Sequence, residues 1–495
     1  MHPVDWIIVF LYAASTIWLG WYFGRKQSDT KEYFTGSGKM NPVLIGVSLF
    51  ATLLSTISYL AIPGEILGKG PIYLTNYLAY PFVFIVVGTV LLPVYMKQRV
   101  TSAYELLEMK LGRSIRLLGV AMFLSLRLVW MSLLVYLTAT AIAVMIGVDE
   151  KFVPLIVAVT GIFAITYTSL GGLRAVVVTD AMQTLLLYGG ALLVIGTITY
   201  KMGGFGWFPT EWQTDIWDQQ PIFSLDPSTR VTVVGSIVSV FLWMVCTSAG
   251  DQVSVQRFMA TEDAAAAKQA FGMQLIVSCV VGITLGFVGV ALLGYFQANP
   301  TLMPDGMTLA ENADKMFPHF IAFELPPVIT GLVVAGLFAA AMSSIDSGVN
   351  SITAVVLTDL MGAGAGGEHQ LRNARWLAIG IGLFVVFAST MMKYIDGNFM
   401  AVTNKTVNLL TVPIALLFFF ALFVPFANAI GVWIGTIASV TVAVLIAFSG
   451  QFFGVDDLTG LAPVSFQWIS PCALIVGVVV GLMACRIFHS RQPSG

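Results

Sequence analysis

Long apolar blocks separated by short polar connections run the whole length of the chain, and about thirteen of them reach the roughly 20 residues needed to cross a bilayer. They fall near 4–24, 42–68, 72–96, 116–147, 152–170, 174–200, 229–259, 269–297, 328–361, 373–395, 398–424, 427–450 and 464–488. The first block lacks a basic n-region and a small-residue cleavage site, so it reads as a retained helix rather than a signal peptide. Two longer connections, about 201–228 and 298–327, interrupt the series. The second carries an amphipathic stretch, Leu309 to Phe317, expected to lie on the membrane surface. Composition sharpens this picture. Only 10% of the 495 residues are charged, against roughly 25% in an average soluble domain. A soluble enzyme, a disordered regulator and a nucleic-acid binder are therefore excluded, and the partner this pattern requires is the lipid bilayer.

Net charge is −2 and implies no global electrostatic partner. The distribution of charge is more useful. Sixteen of the 24 Lys and Arg residues fall in one alternate set of connections, Arg257 among them. By the positive-inside rule that side is cytoplasmic, which puts the N-terminus outside and the C-terminus inside. The four cysteines lie in apolar stretches, and the four histidines show no metal-ligand spacing.

Polar groups at membrane depth are costly unless they face a cavity or each other, so interruptions of the apolar pattern carry the chemistry. The second block reads FATLLSTISYLAIPGE, with Thr52, Ser55, Thr56 and Ser58 ahead of Pro63-Gly64. Hydroxyls plus a helix-breaking pair suggest a discontinuous helix of the kind transporters use; a kinked Ser/Thr packing face gives the same pattern. In the ninth block Ser343, Asp346, Ser347 and Asn350 share one helical face, with Ser344 beside them. A carboxylate among hydroxyls suits an alkali cation, and an interhelical hydrogen-bond seam is the alternative. Asp180 is the only acidic residue of the sixth block, and Arg127 lies within the fourth. The seventh block is interrupted at TSAGDQVSVQR. The two interruptions open two five-helix sets, 42–200 and 229–424, as in inverted-repeat secondary transporters with a midplane site.

Four segments, TSAYELLE at 101–108, YTSLGGLRAVVVTDAMQ at 167–183, DQVSVQR at 251–257 and MSSIDSGVNSI at 342–352, together resemble the sodium:solute symporter family. The resemblance implies an all-α polytopic fold with a five-plus-five inverted-repeat core, one extra N-terminal helix and two extra C-terminal helices. Its units would be 1–41, 42–200, 201–228, 229–424 and 425–495. It implies sodium-coupled import of a small polar solute, one or two sodium ions, no organic cofactor, a functional monomer and a bacterial inner-membrane location.

Carried over by position, the resemblance places a first sodium site on the carbonyls of Ala51, Leu54 and Ala340 and the hydroxyls of Ser343 and Ser344. A second site, known in the sialic acid branch, would use Asp180, Ser344, Ser347 and the position of Asp346. There a carboxylate replaces a hydroxyl, which leaves either a stronger cation site or a proton site. The implied solute contacts are Leu53, where the branch has a hydroxyl, with Ser55, Ser58 and Asn76. Trp130 stands where the branch has its carboxylate-binding arginine, and Arg127 is three residues earlier. Trp243 and Thr247 of the seventh block complete the set. An organic anion such as a sialic acid or monocarboxylate, or a sugar, is the expected solute. The rivals are a proton-coupled carrier on the same fold using Asp180 or Asp346, a membrane-embedded enzyme, and a channel.

Overall fold

The computed structural model describes residues 2–25, 30–54, 56–98, 100, 102–304, 306–362, 368–392, 399–455 and 462–489. Among them, eleven helices are long and apolar enough to cross a membrane, and one bent pair makes a twelfth span. We number the principal helices α1 (Pro3–Gly24), α2 (Pro42–Leu53), α3 (Thr56–Lys69), α4 (Pro71–Gln98), α5 (Arg113–Ile146), α6 (Val153–Thr166) and α7 (Gly171–Lys201). The second half holds α8 (Val233–Gly250), α9 (Gln252–Met259), α10 (Ala264–Ala298), α11 (Ala313–Phe323), α12 (Ile329–Val355), α13 (Glu368–Ser389) and α14 (Phe399–Phe423). Two more, α15 (Ala429–Ala447) and α16 (Ile469–His489), close the chain. With the shorter apolar helix α6 counted as a thirteenth crossing, the bundle is two sets of five spans, each opening with a broken helix, preceded by α1 and followed by α15 and α16.

Local chemistry explains the helix ends. Asn41 caps α2 through Val43 N–H at 2.8 Å, with Pro42 at the first helical position. The α2–α3 pair bends by 68°, and Leu54 at the bend is extended (φ −84°, ψ 105°). This differs from the expectation that Pro63-Gly64 makes the break. Pro63 sits inside α3, and Gly64 answers to packing instead: a Cβ there would meet the Asp314 Cα at 3.0 Å. The helix carrying Asp314, α11, also departs from the sequence expectation. It starts later than the amphipathic stretch and buries Met316, Phe317 and Phe320 rather than floating on the surface. The fifth and sixth blocks meet at Gly172, whose φ of 58° and ψ of −171° lie in a region open essentially to glycine alone.

The extra helices are tied to the core. Asp5 in the first turn of α1 is 1% exposed and accepts the Val328 and Gly331 N–H groups at 2.8 and 3.1 Å, capping α12. Gln183 of α7 donates to the Tyr12 hydroxyl at 3.1 Å. At the other end Gln467, just before α16, accepts from Thr232 N–H at 3.2 Å and donates to the Thr229 carbonyl at 3.1 Å. The last helix therefore grips the chain immediately ahead of α8.

Candidate functional site

Two helix breaks organise the site. A helix that stops leaves its last carbonyls without intrahelical partners, so the end of α2 presents carbonyls from Ala51 to Leu53, with extended Leu54 following. The second break separates α8 from α9 at Asp251, itself extended (φ −87°, ψ 118°). Its carboxylate caps α9 by accepting the Val253 N–H at 3.0 Å.

The first break lies directly against α12. Thr52 Oγ1 is 2.8 Å from Ser347 Oγ, and Thr56 Oγ1 donates to the Leu337 carbonyl at 3.0 Å. These two contacts flank Leu54, with Ala51 next to Thr52, on one side and Ala340, Ser343 and Ser344 on the other. All five are buried. Ser343 Oγ donates to Asp180 Oδ1 at 2.5 Å, which leaves its lone pairs available to a cation. The Ser344 hydroxyl is buried with no protein partner. A buried hydroxyl oxygen without a protein partner is the kind of hard donor an alkali cation takes.

Next to this stands a hub of hydrogen bonds. Asp180 Oδ2 accepts from Ser48 and from Arg257 Nη2, the latter at 3.4 Å. Arg257 Nε donates to Ser48 Oγ at 2.9 Å and Nη2 to Ser347 Oγ at 2.5 Å. Both charged residues are 0% exposed. The hub therefore pins α2, α7, α9 and α12 to one another. Of the residues implied for a second sodium site, Asp180 and Ser347 come together here, but across the protein's own guanidinium. Asp346 takes a different neighbour, accepting from Thr168. Arg257 had been counted among the loop charges that set orientation; it lies in α9 and is fully buried, so it contributes nothing to that count.

Beside the first break is a cavity that both broken helices line. Leu53, Ser58, Asn76, Arg127, Trp130, Trp243 and Thr247 all line it, as does Leu54. Ser55 lies outside the described residues. Arg127 is ion-paired with Asp251 inside this cavity. Sequence reasoning quoted the motif holding Asp251 without assigning it a role; an Asp after Gly250 and before a polar helix start is an N-cap signal that could have marked the break. It also passed over Gln274, Thr403, Asn404 and Asn408, which line the cavity from α10 and α14. These sit in otherwise apolar spans, and nothing local distinguishes them from packing residues.

A helical membrane protein with two broken helices lining one internal cavity has the architecture of secondary transporters of the five-plus-five inverted-repeat class. Residues 33–439 match the sodium:solute symporter family, and the chain belongs to it. It is therefore a sodium-coupled, multi-pass membrane transporter. It is 30% identical over 479 residues to the sodium/sialic acid symporter SiaT of Proteus mirabilis, covering 91% of this chain and 92% of that protein. The human sodium-coupled monocarboxylate transporter 1 is 25% identical over 448 residues, covering 87% of this chain and 70% of that one. A solved sodium-coupled sialic acid symporter, in a substrate-bound outward-open state, superposes with a TM-score of 0.84 at 26% identity over 98% of both chains. Mhp1, a nucleobase-cation-symport-1 family transporter, shares the fold alone, with a TM-score of 0.53 at 10% identity over 93% of this chain and 95% of that one.

Proposed function

We propose that this chain imports a small polar organic solute together with sodium by alternating access. The observation that carries the reading is the placement of the α2–α3 break. Thr52 and Thr56 hold it against α12, the helix that carries the buried, unpaired hydroxyl of Ser344, while Leu53 and Leu54 line the same cavity as Asn76, Trp243 and Thr247. Sodium bound by the Ala51, Leu54 and Ala340 carbonyls with Ser343 and Ser344 would join the first broken helix to α12 and set the wall of the solute cavity. Each ligand then binds better when the other is present, and the coupling is reciprocal. A membrane potential of about 100 mV adds about 2.3 kcal/mol per charge moved inward.

The same reading takes 42–200 and 229–424 as the two repeats, 201–228 as an external loop, the N-terminus as external and the C-terminus as cytoplasmic. One chain carries both helix breaks and the whole cavity, which supports a functional monomer. The likeness to bacterial symporters supports an inner-membrane location. The sialic acids and monocarboxylates of the relatives, together with sugars, define the solutes to test first.

The experiment is uptake of labelled solutes into proteoliposomes under an inward sodium gradient, repeated with choline replacing sodium at fixed pH. Uphill, saturable accumulation that requires sodium is expected. Accumulation driven by a proton gradient in choline would refute sodium coupling and shift the coupling role to Asp180 or Asp346. Non-saturating, downhill flux would indicate a channel, and chemical change of the solute an enzyme.

A further inference from the structure

Among the described residues, the lining of the cavity shared by the two broken helices carries no net charge. Among the described residues that line it, Arg127 and Asp251 are the only charged ones, and they are paired with each other. Both are buried, each 8% exposed. Asp251 is anchored twice, since one carboxylate oxygen pairs with Arg127 and the other caps α9 through Val253 N–H. Swinging it aside would break the cap and strand a buried charge.

That arrangement discriminates by solute charge. An anionic solute has either to take Arg127 from Asp251, leaving a buried carboxylate uncompensated, or to lie beside the intact pair with the co-bound sodium as its one counter-charge. A cationic solute meets the mirror problem at Arg127. Buried charges without partners are strongly disfavoured. A neutral solute meets neither obstacle.

The cavity is also short of hydrogen-bond partners. Arg127 Nε, Trp243 Nε1, Thr247 Oγ1 and Thr403 Oγ1 are all buried and unpaired, and all four residues line the cavity. The two nitrogens can only donate, whereas each threonine hydroxyl both donates and accepts. A solute that satisfies them needs several groups able to accept, some of which also donate. Hydroxyls spread over a small carbon frame do this, and Trp130 and Trp243, which also line the cavity, supply apolar surface for the C–H groups of such a frame. A single polar head group would leave most of the four unmet, and sites built to hydrogen-bond a solute reject analogues lacking those groups.

We propose, resting on the symport reading above, that the solute is electrically neutral and polyhydroxylated, a sugar or polyol, and that it binds with the Arg127–Asp251 pair intact. Sodium then carries the only net charge of the cycle.

The test uses the full chain in proteoliposomes under a sodium gradient, with matched pairs of probes: a hexose against its uronate, a sugar alcohol against the corresponding aldonate, and in addition N-acetylneuraminate and pyruvate. At least tenfold higher sodium-dependent kcat/KM for the neutral member of a pair is expected. Sodium-dependent uptake confined to the acidic solutes would overturn the neutral assignment and leave symport standing. Sodium-independent uptake of a neutral member would overturn symport and leave the solute assignment standing. No uptake of any probe would count against both. Asp251→Asn supplies an independent check, because Asn caps a helix as well as Asp but removes the counter-charge. It should shift the preference at least tenfold toward the acidic member, and an unchanged preference would overturn the role given to the pair.

Discussion

The buried Asp180–Arg257 pair makes a sharp prediction about how the helices around the first break are held. Asp180→Asn keeps the size of the side chain but removes its charge. The Arg257 guanidinium is then left hydrogen-bonded to Ser48, Ser347 and the Val253 carbonyl, without the carboxylate of Asp180. Breaking one side of a buried ion pair costs about 3–5 kcal/mol. An unfolding entropy of about 2.1 cal/mol/K per residue gives, for 495 residues, about 1 kcal/mol per kelvin. The expected fall in the unfolding midpoint is therefore about 3–5 °C. Arg257→Met should cost a similar amount, because it strands the Asp180 carboxylate. The double variant should recover most of the loss, since replacing both partners of a buried pair is often close to neutral. The assay is thermal unfolding of purified protein followed by the fluorescence of its 11 tryptophans. A double variant whose loss equals the sum of the two singles would refute the pairing. The same 3–5 kcal/mol, directed at contacts that pin α2 to α7, α9 and α12, amounts to about 10²–10³-fold or more in a conformational equilibrium. Cytoplasmic accessibility of a cysteine introduced on α2 should rise accordingly in Asp180→Asn.

Three further outcomes follow from the same geometry. Ser344→Ala and Ser343→Ala should each raise the half-saturating sodium concentration at least tenfold in uptake assays while saturating sodium restores solute affinity; an unchanged sodium dependence would remove these hydroxyls from the cation site. Gly172→Ala should destabilise by about 1–3 kcal/mol, because its backbone conformation admits little but glycine, read as a drop of the unfolding midpoint with no change in sodium affinity. Glu324 lies outside the spans: burial alone would push its carboxyl up, but Lys201 at 2.7 Å and the Tyr295 hydroxyl at 2.6 Å hold it below the ordinary value. A depressed carboxyl contributes stability above its unfolded pKa near 4.3 and loses it as pH falls through the folded value. Glu324→Gln should therefore narrow the stability difference between neutral and acidic pH, as followed by unfolding at a series of pH values.

The alternation of apolar blocks and polar connections is enough to establish a multi-pass helical protein, because a bilayer leaves the backbone few ways to satisfy its hydrogen bonds. The interruptions at 50–58 and 247–257 were equally legible, since hydroxyls and small residues inside a span stand out against a hydrocarbon background. Tertiary structure decided where each break falls and what it faces. Pro63 looked like the first break and is carried inside α3, while extended Leu54 turns the chain beside α12. Arg257 looked like a loop cation, and only the packing of four helices reveals it as the counter-ion of Asp180. Asp346 shares a helical face with Ser343 and Ser347, yet its carboxylate turns to Thr168. Asp251 and Arg127 are separated by more than a hundred residues of sequence, and the neutrality of the cavity exists only because folding brings them into contact. Periodicity reports which residues share a face of one helix; the charge and hydrogen-bonding balance of a cavity is a sum over several helices, and that sum is fixed by their packing.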